Sequence, residues 1–201
     1  ARVPKWRPRL TLTTKLLFLY VGILIVTALM GADPSYSFWG SLDRMGGVLT
    51  WLHLTAVCVI LTSFLRTQED WVKFFSYSTY VAVIISLLHL FSLGGTELIP
   101  EARGGATLGN SSFLAVYLLF HTFFGLFVAS QQKKKEGTYL WLGVAVFLAL
   151  AITTVSANAV QYSLMGGIVL LGALLLIVQS RSKTKKRLGV CLLALLTMIF
   201  I

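Results

Sequence analysis

Seven stretches of this chain are apolar over about the 20 residues that a helix needs to cross a bilayer core. They run roughly over 14–32, 47–66, 72–93, 108–130, 138–158, 163–180 and 187–201, and little sequence lies between them. Period-2 alternation is absent, so a transmembrane barrel is not supported. The pattern predicts an all-α fold: a polytopic transmembrane helix bundle of about seven spans, with 1–201 as a single integral membrane domain. Hydrophobic residues make up 57% of the chain and charged residues 12%. Soluble domains carry about 25% charged residues. Too little polar surface remains to coat a water-soluble globule, which excludes a soluble enzyme and a disordered basic tail. Nucleic acid is not an expected partner, because such binding needs its basic charge on a soluble face.

The basic residues predict an orientation. With the N-terminus inside, 15 of the 17 Lys and Arg fall in inner segments, and only Arg44 and Arg103 fall outside. That split follows the positive-inside rule at every loop. The net charge of +10 then reports topology and contact with anionic lipid. The first segment has the basic start and apolar run of a signal peptide. Its apolar run is long for one and the surroundings of Gly31-Ala32 form a poor cleavage site, so an uncleaved helix is expected. The last run is still apolar at Ile201, and the expectation is a piece of a longer protein. Cys58 and Cys191 both lie in apolar runs and give neither a disulfide framework nor a metal spacing.

Chemistry is expected at the outer loops. Loop one runs from Ala32 to Gly47 and loop two from Ser92 to Gly105. As plain connectors, they would use Tyr36 and Trp39 as interfacial anchors. As a binding surface, they would use Arg44 and Arg103 to hold an anion, since the guanidinium fork suits phosphate. Gly104 to Asn110, GGATLGN, has the spacing of a phosphate loop but lacks the lysine that contacts a nucleotide. No nucleotide is therefore expected, although the glycines could let backbone N–H groups approach an anion at the start of span four. Asn110-Ser111-Ser112 matches a glycosylation sequon but lies close to the membrane entry.

His53, His89 and His121 all lie inside spans, where an ionisable residue is a functional candidate by default. Neutral histidine there can equally serve as an interhelical hydrogen-bonding group. His53 and His89 share a depth near the outer end of their spans, which makes them outer-cavity candidates together with Asn110. Span four carries Asn110, Tyr117 and His121 on one face, and span three carries Thr79, Ser86 and His89. Both stripes are expected to face the bundle. There is no HExxH, no carboxylate pair within a span and no nucleophile elbow, so neither metal nor cofactor is expected.

Two motifs resemble those of a known family. Ser37-Phe38-Trp39-Gly40-Ser41-Leu42-Asp43-Arg44-Met45-Gly46-Gly47, leading into Trp51-Leu52-His53-Leu54, resembles the "FWG…ER…G…LH" stretch of the bacterial O-antigen ligase and polymerase superfamily. Arg103-Gly104-Gly105-Ala106-Thr107-Leu108-Gly109-Asn110-Ser111-Ser112-Phe113-Leu114-Ala115 resembles its "R…GTFGNPNxLA" motif. The resemblance covers about the first 160 residues. It implies an integral membrane glycosyltransferase of the bacterial inner membrane. Such enzymes move a glycan from an undecaprenyl-diphosphate carrier to a saccharide or protein acceptor on the outer face, without a metal. The implied partners are the bilayer, a lipid-linked glycan donor and that acceptor. Arg44 and Arg103 would bind the diphosphate.

The catalytic base of that family is a histidine in a large outer loop, and none of the three histidines here matches it. The catalytic residue is therefore unknown, and these residues alone are expected to be inert. Ser111-Ser112 replace the usual Pro-Asn, and Thr154-Val155-Ser156-Ala157-Asn158 lacks the Arg of the family's "T-x-S-R-G" turn. A membrane transporter or channel using the histidines along a path, and a non-catalytic membrane scaffold, are the competing classes.

Overall fold

Helix α1 spans Leu12–Leu29, and Thr11 starts it by accepting the Thr14 N–H on its hydroxyl. In the computed structural model, which describes residues 11–41, 46–94, 104–179, 182, 184 and 187–193, it is followed by six further helices. These are α2 (Pro34–Trp39), α3 (Val48–Phe64), α4 (Gln68–Leu93), α5 (Ser111–Ser130), α6 (Lys135–Thr154) and α7 (Asn158–Gln179). A 3-10 turn, Ala106–Leu108, precedes α5, and residues 187–193 are again helical. No strand occurs among the described residues. The fold is an all-α helical bundle. Helices α1, α4, α5, α6 and α7 are long and apolar enough to cross a membrane, and α3, at 17 residues, is a shorter apolar helix.

The expected span boundaries shift for local reasons. Helix α4 starts at Gln68, ahead of 72, because Thr67 and Asp70 cap it reciprocally. The Thr67 hydroxyl accepts the Asp70 N–H at 3.1 Å, and the Asp70 carboxylate accepts the Thr67 N–H at 2.9 Å. Helix α5 starts at Ser111, after 108, because Gly109 turns left-handed at φ 71° and Asn110 is extended. Helix α6 ends at Thr154 where Val155 becomes extended, and α7 begins at Asn158, five residues before 163. The Gln161 side chain donates to the carbonyl of Val155 at 3.1 Å, and so supports a break of only three residues. The span expected at 187–201 is helical over 187–193, and its remainder lies outside the described residues.

The chain folds as two compact units, Ala1–Trp71 and Val72–Ile201. In the first, α1 packs against α3, and α2 packs against both. Loop one is thus partly helical: Asp33 caps α2 through the Tyr36 N–H at 2.9 Å, and Pro34 opens it, where its missing N–H costs nothing. In the second unit, α5 is the central helix and α6 is its main partner. Helix α5 buries Leu114, Leu118, His121, Gly125 and Val128, at alternating steps of four and three. Helix α6 buries Trp141, Ala145, Leu148 and Ile152 in the same rhythm. The two seams meet closely where Gly125 faces Ala145, the small-residue contact by which membrane helices approach each other. The opposite faces carry Phe113, Phe120, Leu140, Val146 and Leu150, all exposed. An apolar exterior over a partly polar seam is the arrangement expected in lipid.

Candidate functional site

The second unit places the span-three stripe as expected: Thr79 and Ser86 are fully buried on α4, and His89 is 2% exposed. Steps of three and four through Thr79, Ala82, Ser86 and His89 put them on one seam of α4. Serine and threonine in these helices usually return their hydroxyl to the carbonyl one turn back, as Ser76, Thr122 and Ser163 do. The Thr79 and Ser86 hydroxyls have no partner among the described residues. A buried group in that condition costs about 1–3 kcal/mol, so the seam is polar at a price in stability.

One residue before Thr79, Ser78 reaches across to α5. Its Oγ lies 2.7 Å from His121 Nε2, while His121 Nδ1 lies 2.7 Å from the Tyr117 carbonyl. A carbonyl can only accept, so Nδ1 carries the proton in neutral His121. Nε2 is then the acceptor and Ser78 donates its hydroxyl proton. The Tyr117 ring packs on the same imidazole, with centroids 4.1 Å apart. His121 is therefore the interhelical hydrogen-bonding group that its span position allowed. Ser78 was missed in the sequence reading, because it stands one residue off the stripe and its partner is 43 residues away.

The motif GGATLGN folds as a compact turn. Gly104 and Gly109 have positive φ of 67° and 71°, and Ala106 is also left-handed at 46°. Gly105 lies so close to the backbone of Asn110 that any Cβ would overlap it. Asn110 caps α5 by accepting the Ser112 N–H at 2.7 Å. This candidate residue thus orders the turn, and its side-chain oxygen is already engaged. Ala106 and Leu108 tuck into the core beside Leu114 and Leu118.

In the first unit, His53 sits on an exposed face of α3 with Nδ1 at 2.8 Å from the Leu49 carbonyl of its own helix. A cup of about 270 Å³ opens where α1, α2 and α3 converge, lined by Leu24, Thr27, Ala28, Ser37, Gly46, Val48 and Trp51. A second cavity of about 230 Å³ lies at the other end of α1 and α3, lined by Thr11, Thr14, Thr62, Leu65, Arg66 and Trp71. The candidate cations Arg44 and Arg103 lie outside the described residues. Among the described residues, no three His, Cys, Asp or Glu side chains cluster. No protein-family model, curated protein or solved structure matches this chain.

Proposed function

We propose that this chain is part of an integral membrane glycosyltransferase resembling O-antigen ligases. It would transfer a glycan from an undecaprenyl-diphosphate carrier to a saccharide or protein acceptor on the outer face of the bacterial inner membrane. The observation that carries the reading is the turn Gly104–Asn110 at the start of α5. Its glycines bring backbone close to the helix N-terminus, where free N–H groups and the helix dipole favour an anion. Arg103 directly precedes it in sequence, one of two cations on the outer side of a topology with the N-terminus inside. Arg44 in loop one is the other, and each is a candidate diphosphate contact in this reading. Cation pairing there stabilises the charge that builds on the departing diphosphate.

Substitution of Arg103 in the full-length protein tests the proposal. Arg103→Lys should already impair transfer from a lipid-diphosphate donor, because the bidentate fork is lost. Arg103→Ala should impair it further while expression and membrane insertion persist. If Arg103 merely pairs with Glu101 at the surface, both substitutions and Glu101→Gln should be equally mild. Wild-type transfer by Arg103→Ala would remove this residue from the site. A transporter is the second reading, favoured by the buried hydroxyls of Thr79 and Ser86. It requires solute flux in proteoliposomes that Thr79→Val and Ser86→Ala abolish.

A further inference from the structure

A cleft of about 490 Å³ opens between α4 and α6 in the second unit, walled by Val83 and Leu87 of α4 and by Leu140, Val144 and Phe147 of α6. Tyr139 supplies the one hydroxyl in its lining. Gly143 also lines it, with nothing within 4 Å of where its Cβ would be, so a missing side chain forms part of the space.

The cleft has a direction. Tyr139, Gly143 and Phe147 follow one another at steps of four along α6. At 1.5 Å per residue it runs about 12 Å along the helix, most of the roughly 15 Å depth of one leaflet of hydrocarbon. Its Tyr139 end lies one turn from Lys135, the first residue of α6. Lys133, Lys134 and Lys135 are consecutive at the connector between α5 and α6, and all are exposed. Glu136, one turn before Leu140, is exposed there too, and three ammonium groups outweigh its single carboxylate. Tyr139 is 68% exposed, and tyrosine at such a position sets its hydroxyl at headgroup level. The mouth is therefore cationic and the body apolar.

We infer that this cleft holds one anionic phospholipid of the bilayer, its acyl chain lying along Gly143 between α4 and α6 and its phosphate meeting the lysines and the Tyr139 hydroxyl. Basic loops attract anionic lipid without any cleft; here a slot for a chain ends at the charges that fit its headgroup. A zwitterionic lipid carries its own ammonium and gains less from the lysines. A second copy seated here by a two-fold axis along the bilayer normal would bring both lysine runs to the same end of the interface, like charge against like. The connector lies at the opposite end of α5 from the turn Gly104–Asn110, 20 residues or about 30 Å away. The site is thus separate from the proposed diphosphate contacts and does not rest on the transferase reading. It requires only that the connector lie at a bilayer surface, whichever surface that is.

Lipid retention by the purified protein is the test. Full-length protein is delipidated in mild detergent and titrated with phosphatidylglycerol or phosphatidylcholine of the same acyl chains, and native mass spectrometry counts the lipids bound. One phosphatidylglycerol should be held at a concentration about tenfold below that needed for phosphatidylcholine, from the pull of the lysines on net charge. Replacing Lys133, Lys134 and Lys135 together by Gln should erase that preference and leave phosphatidylcholine binding unchanged. Gly143→Leu puts a side chain into the cleft where the protein has nothing to displace. It should weaken both lipids alike while the lipid-free thermal midpoint holds. Equal retention of the two lipids by wild type, or undiminished phosphatidylglycerol in Gly143→Leu, would overturn the site. So would equal competition by glycerophosphoglycerol, the headgroup without its chains. A dimer that Gly143→Leu dissolves, with no lipid bound to wild type, would give the cleft to a second copy instead.

Discussion

Ser78 on α4 donates its hydroxyl proton to His121 Nε2 on α5 across 2.7 Å, and the Tyr117 carbonyl fixes the tautomer that makes this possible. A serine beside an oriented imidazole is also the core of a nucleophile–base pair. In this structure the bond joins two helices. Interhelical hydrogen bonds in membranes average about 0.6 kcal/mol in double-mutant cycles, with a maximum near 1.7.

A double-mutant cycle over Ser78→Ala and His121→Phe should therefore give a coupling of about 0.6–1.7 kcal/mol in unfolding from mixed micelles. Ser78→Ala should keep whatever activity the full-length protein has. Loss of turnover with unchanged stability in Ser78→Ala would make the serine a nucleophile.

Much of this fold was legible because lipid imposes simple rules. Apolar length marked the spans, and the separations of seven and three in Thr79, Ser86 and His89 marked the buried face of α4. Ser78 was not legible, since periodicity along one helix says nothing about a partner 43 residues on. Helix α2 carried its signal in Asp33-Pro34, an N-cap followed by N1 proline, but six residues are too short for an apolar pattern to reveal. The glycines of GGATLGN looked like room for a ligand. Gly105 instead makes room for Asn110 of the same chain, a contact that only three-dimensional closure creates.

The seam between α5 and α6 predicts a size threshold at Gly125. An ideal Cβ there would stand 3.4 Å from the Ala145 Cβ, so one methyl group is just accommodated. Gly125→Ala should be close to neutral, helped by the better helix propensity of alanine. Gly125→Leu should cost about 1–3 kcal/mol by forcing the helices apart. Thermal unfolding of the two variants in one detergent measures the contrast, and equal midpoints would refute the close approach.

Orientation is tested by single-cysteine labelling. Cys58 and Cys191 are both exposed, so both are first replaced by serine. With the N-terminus inside, a membrane-impermeant maleimide applied to intact cells should label Ser35→Cys in α2. It should spare Lys133→Cys, in the connector between α5 and α6, until the cells are opened. Labelling of position 133 in intact cells would reverse the topology, and with it the outward placement of the Gly104–Asn110 turn.

That turn gives the sharpest prediction, because its glycines are required for different reasons. Gly104 and Gly109 have left-handed φ, yet nothing lies within 4 Å of where either Cβ would stand. Alanine at these two positions should cost only the left-handed strain, about 1–2 kcal/mol each. Gly105 has an ordinary negative φ of −105°, but its Cβ would run into the backbone of Asn110. Backbone cannot swing aside as a side chain can, so Gly105→Ala must push the turn away from the start of α5. That displaces Asn110 from its capping bond to Ser112, worth a further 0.5–2 kcal/mol or so. The expected order of stability is wild type, then Gly104→Ala level with Gly109→Ala, then Gly105→Ala well below. Thermal midpoints of the purified variants give that order directly. If the turn also holds the diphosphate, Gly105→Ala should lose transfer at temperatures where it remains folded, and Gly104→Ala should retain more of it. Gly105→Ala unfolding no earlier than Gly104→Ala would mean that the backbone approach to Asn110 is wrong, and the anion site built on it would go as well.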